Sequence, residues 1–182
     1  RYRNRDEEQR PKETFILNFN YTQTLLNYKV ASRWEDEFRI INIHGEINNP
    51  KNPIIFGYGD ETIPSYKKLE ELNNNEVLRF MKNKDYALTT NYSKLISFIE
   101  TVPFEVYILG HSCGLSDRVM LNTIFENENC TSIFIFYHQK GNGSDNFMDI
   151  YHNISRQFTL AKRAELRKKV KAKSISMAFP QK

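Results

Sequence analysis

The stretch Val106-Tyr-Ile-Leu-Gly-His-Ser-Cys-Gly-Leu-Ser-Asp117 decides the fold class, because an almost continuously apolar run leads into a turn with two glycines. Such a run is typical of a strand that is covered on both faces of a sheet. A helical pattern at residues 116–125 follows, and then a second run of the same kind, Ile133-Phe-Ile-Phe-Tyr137. A strand, a turn, a helix and a further strand indicate a parallel α/β arrangement.

Three further apolar runs extend this pattern towards the N-terminus, at residues 15–19, 40–43 and 54–57. Apolar side chains at helical spacing lie between the runs or after them, at residues 22–28, 64–82, 92–100 and 145–158. Residues 73–75 are three asparagines and predict an interruption of the second helix. Ser116 and Asp117 are expected to be the N-cap and a first-turn carboxylate of their helix. We therefore predict an α/β fold with a mostly parallel sheet.

Length and composition limit the class of protein. The 182 residues suffice for one domain with a sizeable core, and 40% hydrophobic with 26% charged residues is typical of a globular protein. No stretch approaches the roughly 20 apolar residues of a membrane-spanning helix, and the polar start is not a signal peptide. We therefore expect a cytoplasmic protein without a membrane partner, in which Cys113 and Cys130 are reduced.

The net charge of +4 is concentrated near the C-terminus, where seven Lys and Arg lie between Lys162 and Lys173. We expect a charged leader at residues 1–13, an α/β domain at residues 14–158, and a basic tail at residues 159–182 that forms a surface helix or frays. A cluster of cations is compatible with nucleic-acid binding, but a solvated tail is the interpretation that we favour. The chain starts with Arg and not Met, so we expect its natural N-terminus to be missing.

Polar and glycine residues follow the predicted strands, at the end where open α/β sheets bind ligands. Asn20 follows the first run, His44-Gly45 the second, and Gly110-His111-Ser112 with Asp117 the fourth. An imidazole can act as a base at a sugar hydroxyl, and an amide can hold a water or a ribose hydroxyl. A turn that opens a helix offers backbone N–H groups to a phosphate. We predict that these segments form a nucleotide site.

Each of these residues also has an ordinary structural interpretation. Asn20 could cap a helix, His44-Gly45 could be a simple turn, and residues 141–144 are slightly favoured to be a flexible turn. Cys113 beside His111 is compatible with a nucleophile, although no third orienting residue is evident. The histidines and carboxylates have no spacing that is diagnostic of a metal site, and we predict none.

The blocks resemble a known family when they are taken in order. Phe19-Asn-Tyr-Thr22, Ile43-His-Gly45 and Tyr107-Ile-Leu-Gly-His-Ser112 with Leu115-Ser-Asp117 are similar to the core blocks of the AbiH family of bacteriophage abortive-infection proteins. They also resemble the motif series of the sirtuin-like superfamily. The resemblance covers residues 14–158. It implies a Rossmann-like sheet, a bacterial cytoplasmic setting, a role in phage defence, and NAD as a ligand or substrate.

The resemblance also implies roles for individual residues. Asn20 and His44 would be the catalytic pair, with Asn20 positioning water and His44 acting as the base. The residues that would bind the dinucleotide come from two turns. They are Gly45 in the first turn, and Gly110, His111, Ser112 and Asp117 in the second. Thr22 stands where the sirtuin-type turn usually has an acidic residue, so ribose recognition is expected to differ. The zinc-binding cysteine pairs of sirtuin deacetylases are absent from the sequence, which argues against deacetylation.

The family's opening strand and glycine-rich phosphate turn have no counterpart in this chain. We therefore expect the first βα unit to be missing, which leaves open whether this chain keeps the activity of a longer parent that is an NAD glycohydrolase. The leading hypothesis is a phage-defence protein that binds and hydrolyses NAD in response to a phage-derived trigger. The alternatives are a non-catalytic defence module that senses a phage component or nucleic acid, and a generic nucleotide-binding α/β domain. The sequence leaves oligomer formation open.

Overall fold

The computed structural model describes residues 13–25, 38–79 and 81–179. The chain divides into two compact units, Arg1–Phe56 and Gly57–Lys182. Each unit has a parallel sheet of its own among the described residues, with two strands in the first unit and three in the second.

The two strands of the first unit are in register. Strand β1 (Thr14–Asn18) pairs with strand β2 (Phe38–Asn42), and both begin and end at paired positions. Ile41 in β2 is buried and Ile43 just beyond the strand is fully buried, whereas Ile40 and Asn42 are half-exposed. A 3-10 turn at Gln23–Leu25 occupies part of the helix predicted at residues 22–28, and residues 26–28 lie outside the described residues. Because the strands are parallel, their carboxyl ends lie side by side.

The second unit alternates helices with parallel strands, as the sequence predicts. Its helices are α1 (Pro64–Glu71), α2 (Asn75–Leu78), α3 (Lys82–Asp85), α4 (Asn91–Thr101), α5 (Arg118–Phe125), α6 (Phe147–Gln157) and α7 (Arg163–Lys169). Its strands are β3 (Phe104–Leu109), β4 (Cys130–Tyr137) and the short β5 (Met177–Ala178), in the order β3-β4-β5 and all parallel. Helices α5, α6 and α7 pack against β4. The predicted α/β fold class is therefore confirmed.

The core of the second unit lies between β4 and these helices. Ile133 and Ile135 of β4 are fully buried, and Ile154 on the apolar stripe of α6 is also at 0% exposure. That stripe, predicted from residues 145–158, buries Phe147 and Ile150 as well. Apolar residues at helical spacing therefore predicted the buried face of α6 correctly.

The long helix predicted at residues 64–82 is broken where the sequence predicts it. Helix α1 ends at Glu71, Asn73 adopts a left-handed φ of 50°, and the Asn74 side chain accepts a hydrogen bond from the backbone N–H of Glu76 at 3.0 Å. Asparagine tolerates the left-handed region and caps helices through its side chain. The three asparagines therefore end one helix and begin the next.

Two predictions about local structure are wrong. Residues 54–57 form no strand, since Ile55 is buried while Phe56 is 78% exposed, and an isolated bridge between Tyr58 and Met81 follows instead. Ser116 does not cap α5, because its hydroxyl bonds to Asp117 at 3.2 Å. A 3-10 turn at Leu115–Asp117 precedes α5, and no side chain caps the N-terminus of this helix.

Strand β3 was predicted to be covered on both faces of the sheet. Among the described residues, one of its faces is exposed to solvent. Tyr107 is 44% exposed and Leu109 is 58% exposed, while Ile108 between them is buried. The Tyr107 ring stacks on Phe134 of β4 at 4.9 Å and donates its hydroxyl to Glu105 at 2.7 Å. A continuous apolar run cannot distinguish a strand covered on both faces from one whose outer face is aromatic and exposed.

The basic segment after Thr159 is ordered within the second unit. Helix α7 buries Leu166, Val170 forms a parallel bridge with Ile133, and β5 pairs with the end of β4. Of the two forms that the sequence predicts for this segment, the described residues contain the helix. They also contain a strand that composition did not indicate.

Candidate functional site

The carboxyl ends of β1 and β2 carry an asparagine each, and the two side chains are joined. Asn18 ends β1 and Asn42 ends β2, and the Asn18 Nδ2 donates to the Asn42 Oδ1 at 2.6 Å. Asn18 is only 7% exposed. Parallel pairing puts these two positions opposite each other, so the strand register itself creates the pair of amides.

Glu46 extends this group of amides on the turn after β2. Its Oε1 accepts a hydrogen bond from the Asn52 Nδ2 at 3.0 Å. Hydrogen bonds from Asn52, and next from Asn42, hold the pKa of Glu46 below its ordinary value. Carboxylates that accept amide hydrogen bonds favour the ionised form. The carboxylate at this end of the strands is therefore negative at neutral pH, as an ordinary glutamate is, and stays so further into acidic pH.

A cavity of about 300 Å³ opens beside these side chains in the first unit. Its polar walls are amides and the carboxylate of Glu46, and its apolar walls come from β2 and from the 3-10 turn. The lining residues are Asn18, Gln23, Leu25, Phe38, Ile40, Asn42 and Glu46. A concave site with apolar walls and a few converging polar groups is the usual form of a small-molecule site.

Asn20 and His44, the predicted catalytic pair, lie in the loops that follow the same two strands. Asn20 is exposed, and among the described residues its side chain contacts Asn18 and caps no helix: its side-chain amide and its backbone N–H both donate to the Asn18 Oδ1, at 3.2 and 3.1 Å. Neither Asn20 nor His44 is among the described residues that line the cavity. The structure therefore brings Asn20 into hydrogen-bond contact with a lining residue, and His44 into the turn between two lining residues.

His44 is buried at 5% exposure. The His44 ring packs edge-to-face against the ring of Phe19, with 5.1 Å between the ring centroids. The ring of Tyr21 lies 6.2 Å from His44, also measured between centroids. Gly45, predicted to bind the dinucleotide, has a φ of 85°, and a Cβ there would lie 2.1 Å from the backbone oxygen of Pro53. Only glycine fits this turn, so Gly45 has a structural reason to be present.

The predicted phosphate turn lies after β3 in the second unit and is held by α6. The Asn153 Nδ2 donates to the backbone oxygen of Ser112 at 2.8 Å, and the buried Gln157 donates to that of Cys113 at 2.7 Å. Gly110 has a φ of 70°, and nothing described lies within 4 Å of the position that a Cβ would occupy. The turn is thus held by hydrogen bonds from α6, and the space beside Gly110 is open.

Asp117 and His111 belong to a charged group in the second unit. The Lys82 Nζ lies 2.6 Å from the Asp117 Oδ1, and both side chains are less than 10% exposed. The His111 Nε2 lies 3.5 Å from the Asp117 Oδ2, while its Nδ1 accepts a hydrogen bond from the backbone N–H of Cys113 at 3.1 Å. Because Nδ1 is an acceptor, the neutral ring carries its proton on Nε2, facing Asp117. This geometry orients His111 within the turn.

Cys113 is unsuited to act as the nucleophile that its position beside His111 suggested. Its side chain is fully buried, and burial, assisted by the nearby charge of Asp117, raises the pKa of its thiol to about 12. The thiolate is the reactive form, and at neutral pH it is essentially absent under these conditions.

The basic segment directs most of its charges into the protein itself. The Lys169 Nζ donates to the backbone oxygens of Phe125 and Asn127, at 3.0 and 2.7 Å, where α5 ends. Four more of the seven basic side chains have described partners within the chain, and these are Lys162, Arg163, Lys168 and Lys173. Nucleic-acid binding by this segment stays a prediction, and it would have to compete with these contacts.

The structure defines an α/β protein with polar side chains gathered where its parallel strands end. The family model described as Bacteriophage abortive infection AbiH matches residues 2–138 of the chain, which is more than half of its length. The chain therefore belongs to the AbiH family, and with it to the phage abortive-infection defence proteins. No curated protein and no solved structure matches it significantly.

Two kinds of feature are absent from the described residues. Among residues 13–25, 38–79 and 81–179, no helix is long and apolar enough to cross a membrane. Within the same ranges, no three His, Cys, Asp or Glu side chains are grouped so that they could hold a metal ion.

The lining residues of the cavity were not singled out by the sequence. Asn18 and Asn42 each lie inside an apolar run, at residues 15–19 and 40–43, so the sequence assigns each only an ordinary place in a strand. Glu46 appears in the sequence only as the residue after His44-Gly45. The sequence signal was that both parallel strands end in asparagine, and it becomes specific only when the pairing register is known.

Proposed function

We propose that this AbiH protein acts in phage defence by binding NAD at the carboxyl ends of β1 and β2 and hydrolysing its nicotinamide–ribose bond. The cavity bounded by Asn18, Asn42 and Glu46 is the observation that carries the proposal. Its position after parallel strands is where α/β proteins bind nucleotides, and its amides and carboxylate suit the hydroxyls of a sugar.

The residues of this unit supply the groups that such a hydrolysis requires. Water attacks C1′ of the nicotinamide ribose, and the C1′–N bond breaks with its electron pair going to nicotinamide. Asn20 positions the water, and the imidazole of His44 accepts the proton that the water loses. The products are ADP-ribose and neutral nicotinamide. General-base catalysis of this kind typically contributes about 10²–10⁴-fold to a rate.

Gly110, His111, Ser112 and Asp117, on the turn after β3 of the second unit, stay a prediction for nucleotide binding, in which Gly110 and Ser112 would face phosphate and ribose groups. The open space above Gly110 supports it, since a phosphate can approach the backbone there. Asp117 would act through its ion pair with Lys82 and its position beside His111, and so would keep the turn in shape.

The proposal is tested by incubating the chain with NAD and measuring both binding and released nicotinamide. We expect His44→Ala and Asn20→Ala to lower the rate of release by about 10²-fold or more. His152→Ala and Asn75→Ala are matched controls, because both residues are exposed, and they should leave the rate unchanged. Since His44 is buried, His44→Gln is the second variant, and thermal unfolding verifies that each variant is folded.

Two results would overturn the proposal. If the folded wild-type chain bound no NAD, the assignment of NAD as the ligand would be wrong. If wild type and both site variants released nicotinamide at equal rates, the assignment of Asn20 and His44 as the catalytic pair would be wrong. The sensor alternative predicts that neither wild type nor any variant releases nicotinamide in this assay.

A further inference from the structure

The charge of the cavity in the first unit limits which part of a ligand it can hold. Glu46 is the one charged residue among the seven described residues that line it, and none of the seven is a lysine or an arginine. A phosphate in this cavity would face a carboxylate without a compensating cation from these walls. Phosphate sites are normally built from cations or from free backbone N–H groups. The described walls of the cavity therefore offer no favourable contact to the pyrophosphate of a dinucleotide.

The remaining walls favour a group that is cationic, partly apolar and rich in hydrogen-bonding atoms. Asn18, Gln23 and Asn42 have side-chain amides that both donate and accept, as a carboxamide or a sugar hydroxyl requires. The apolar contact surface comes from three further lining residues, Leu25, Phe38 and Ile40. The nicotinamide ribosyl end of oxidised NAD has these properties, because its ring is positively charged and carries a carboxamide. The volume of about 300 Å³ is at the lower end of ordinary ligand pockets.

We propose that the cavity holds the nicotinamide ribosyl end of the dinucleotide and that Glu46 is the residue that selects the oxidised, positively charged ring. This inference rests on the proposed function and names the part of NAD that the cavity holds. NADH has almost the same shape, but its ring is neutral, so it gains nothing from the carboxylate. Glu46 is half-buried, where a charge pair is screened less than it is on an open surface.

Hydrogen bonds to the Glu46 carboxylate favour its negatively charged form. Asn52 donates to one carboxylate oxygen at 3.0 Å, and Asn52 is also bonded to the backbone oxygen of Asn42 at 3.1 Å. The hydrogen bonds that lower the pKa of Glu46 keep it ionised down to acidic pH. Glutamine at this position can still accept from Asn52, so Glu46→Gln removes the charge and leaves the hydrogen bond.

The test is calorimetric titration of the chain with NAD and with NADH, for wild type and Glu46→Gln. We expect wild type to bind NAD roughly tenfold more tightly than NADH, and Glu46→Gln to bind the two about equally. Glu71→Gln is the matched control, because Glu71 is an exposed carboxylate at the end of α1, and it should keep the wild-type preference. Circular dichroism establishes that each variant is folded.

The outcomes separate this inference from the proposed function. If wild type binds neither dinucleotide, the proposed function fails and takes this inference with it. If wild type binds NAD but does not prefer it over NADH, or if Glu46→Gln keeps the preference, the inference is wrong and the proposed function stands. Weaker binding of both dinucleotides by the same factor in Glu46→Gln would also overturn it, since that result indicates a structural role.

Discussion

At the scale of single residues, Gly45 and Gly110 share a left-handed backbone but differ in their surroundings. Gly45 has a φ of 85° and Gly110 a φ of 70°. A Cβ on Gly45 would meet the backbone of Pro53 at 2.1 Å, whereas a Cβ on Gly110 would meet no described atom within 4 Å. The pair therefore separates the cost of a left-handed backbone from the cost of a steric overlap.

We expect Gly110→Ala to lower the free energy of unfolding by about 1–2 kcal/mol, which is the cost of a left-handed non-glycine residue. Gly45→Ala should cost about 3 kcal/mol or more, because overlap with a backbone atom is added to the same strain. Urea unfolding of the two variants measures the difference. Equal losses would show that the turn around Gly45 relaxes more easily than the structure indicates.

The ion pair between Lys82 and Asp117 is the second prediction at this scale. Both side chains are less than 10% exposed, so removing the lysine leaves a buried carboxylate without that cation, beside the Ser116 hydroxyl and His111. We expect Lys82→Met to destabilise the protein by about 3–5 kcal/mol, and the double variant Lys82→Met with Asp117→Leu to recover much of that loss. Chemical denaturation of the single and double variants tests both statements.

Arg79→Met is the control for the buried pair. Arg79 lies 3.5 Å from Glu76, and both side chains are more than 60% exposed. An exposed pair of this kind contributes about 0–1 kcal/mol. A loss at Arg79 that equalled the loss at Lys82 would show that burial does not decide how much an ion pair contributes in this protein.

At the scale of elements, α7 stabilises the end of α5 through one lysine. The Lys169 Nζ donates to the backbone oxygen of Phe125, in the last turn of α5 where helix carbonyls lack intrahelical partners, and to that of Asn127, which also accepts from the backbone N–H of Cys130 at 3.1 Å. The positive charge also suits the negative end of the helix dipole. The basic composition of this segment therefore reflects packing inside the protein to a large extent.

We expect Lys169→Met to lower the free energy of unfolding by about 2 kcal/mol, because two carbonyl groups lose a charged donor. Lys168→Met is the neighbouring control. The Lys168 side chain is 71% exposed and its ammonium pairs with Glu165. The Lys168→Met variant should therefore lose no more than about 0.5 kcal/mol of unfolding free energy. Thermal and urea unfolding of the two variants provide the comparison, and a neutral Lys169→Met would mean that water replaces the ammonium without cost.

The sequence predicted elements well where a local pattern determines them. The asparagines at residues 73–75 and the stripe of α6 act through neighbours in the chain, and both were predicted correctly. Residues 54–57 have the composition of a strand, but a strand also needs a partner, and composition does not indicate one. The amides of Asn18 and Asn42 meet across two strands, so the cavity beside them depended on a register that the sequence alone does not reveal.

At the scale of the whole molecule, the two cysteines report on global unfolding. Cys113 and Cys130 are both buried to about 1% exposure or less, and desolvation raises their pKa values to about 12 and about 11. Free thiols ionise near pH 9, so between pH 9 and pH 11 the unfolded chain releases protons that the folded chain keeps. This contribution to stability is complete below about pH 9 and is lost as the pH rises.

We therefore expect the free energy of unfolding to fall by roughly 1 kcal/mol per pH unit for each thiol above about pH 9. The double variant Cys113→Ala with Cys130→Ala should have a correspondingly shallower dependence, as measured by urea unfolding from about pH 8 to about pH 10.5. A thiol reagent should likewise modify neither cysteine in native protein and both in denaturant. Rapid modification of the native protein at about pH 8 would contradict the burial of these two thiols.

The tight turn at Gly45 also bears on how descendants of this sequence can vary. Any side chain at this position would collide with Pro53, so selection should retain glycine in every lineage that keeps the turn, with or without an active His44. A glycine that is retained at this position among related proteins would therefore reflect the steric limit set by the Pro53 backbone. Variation at the histidine beside a retained glycine would bear on the catalytic role that we propose for His44, because the turn itself does not depend on that role.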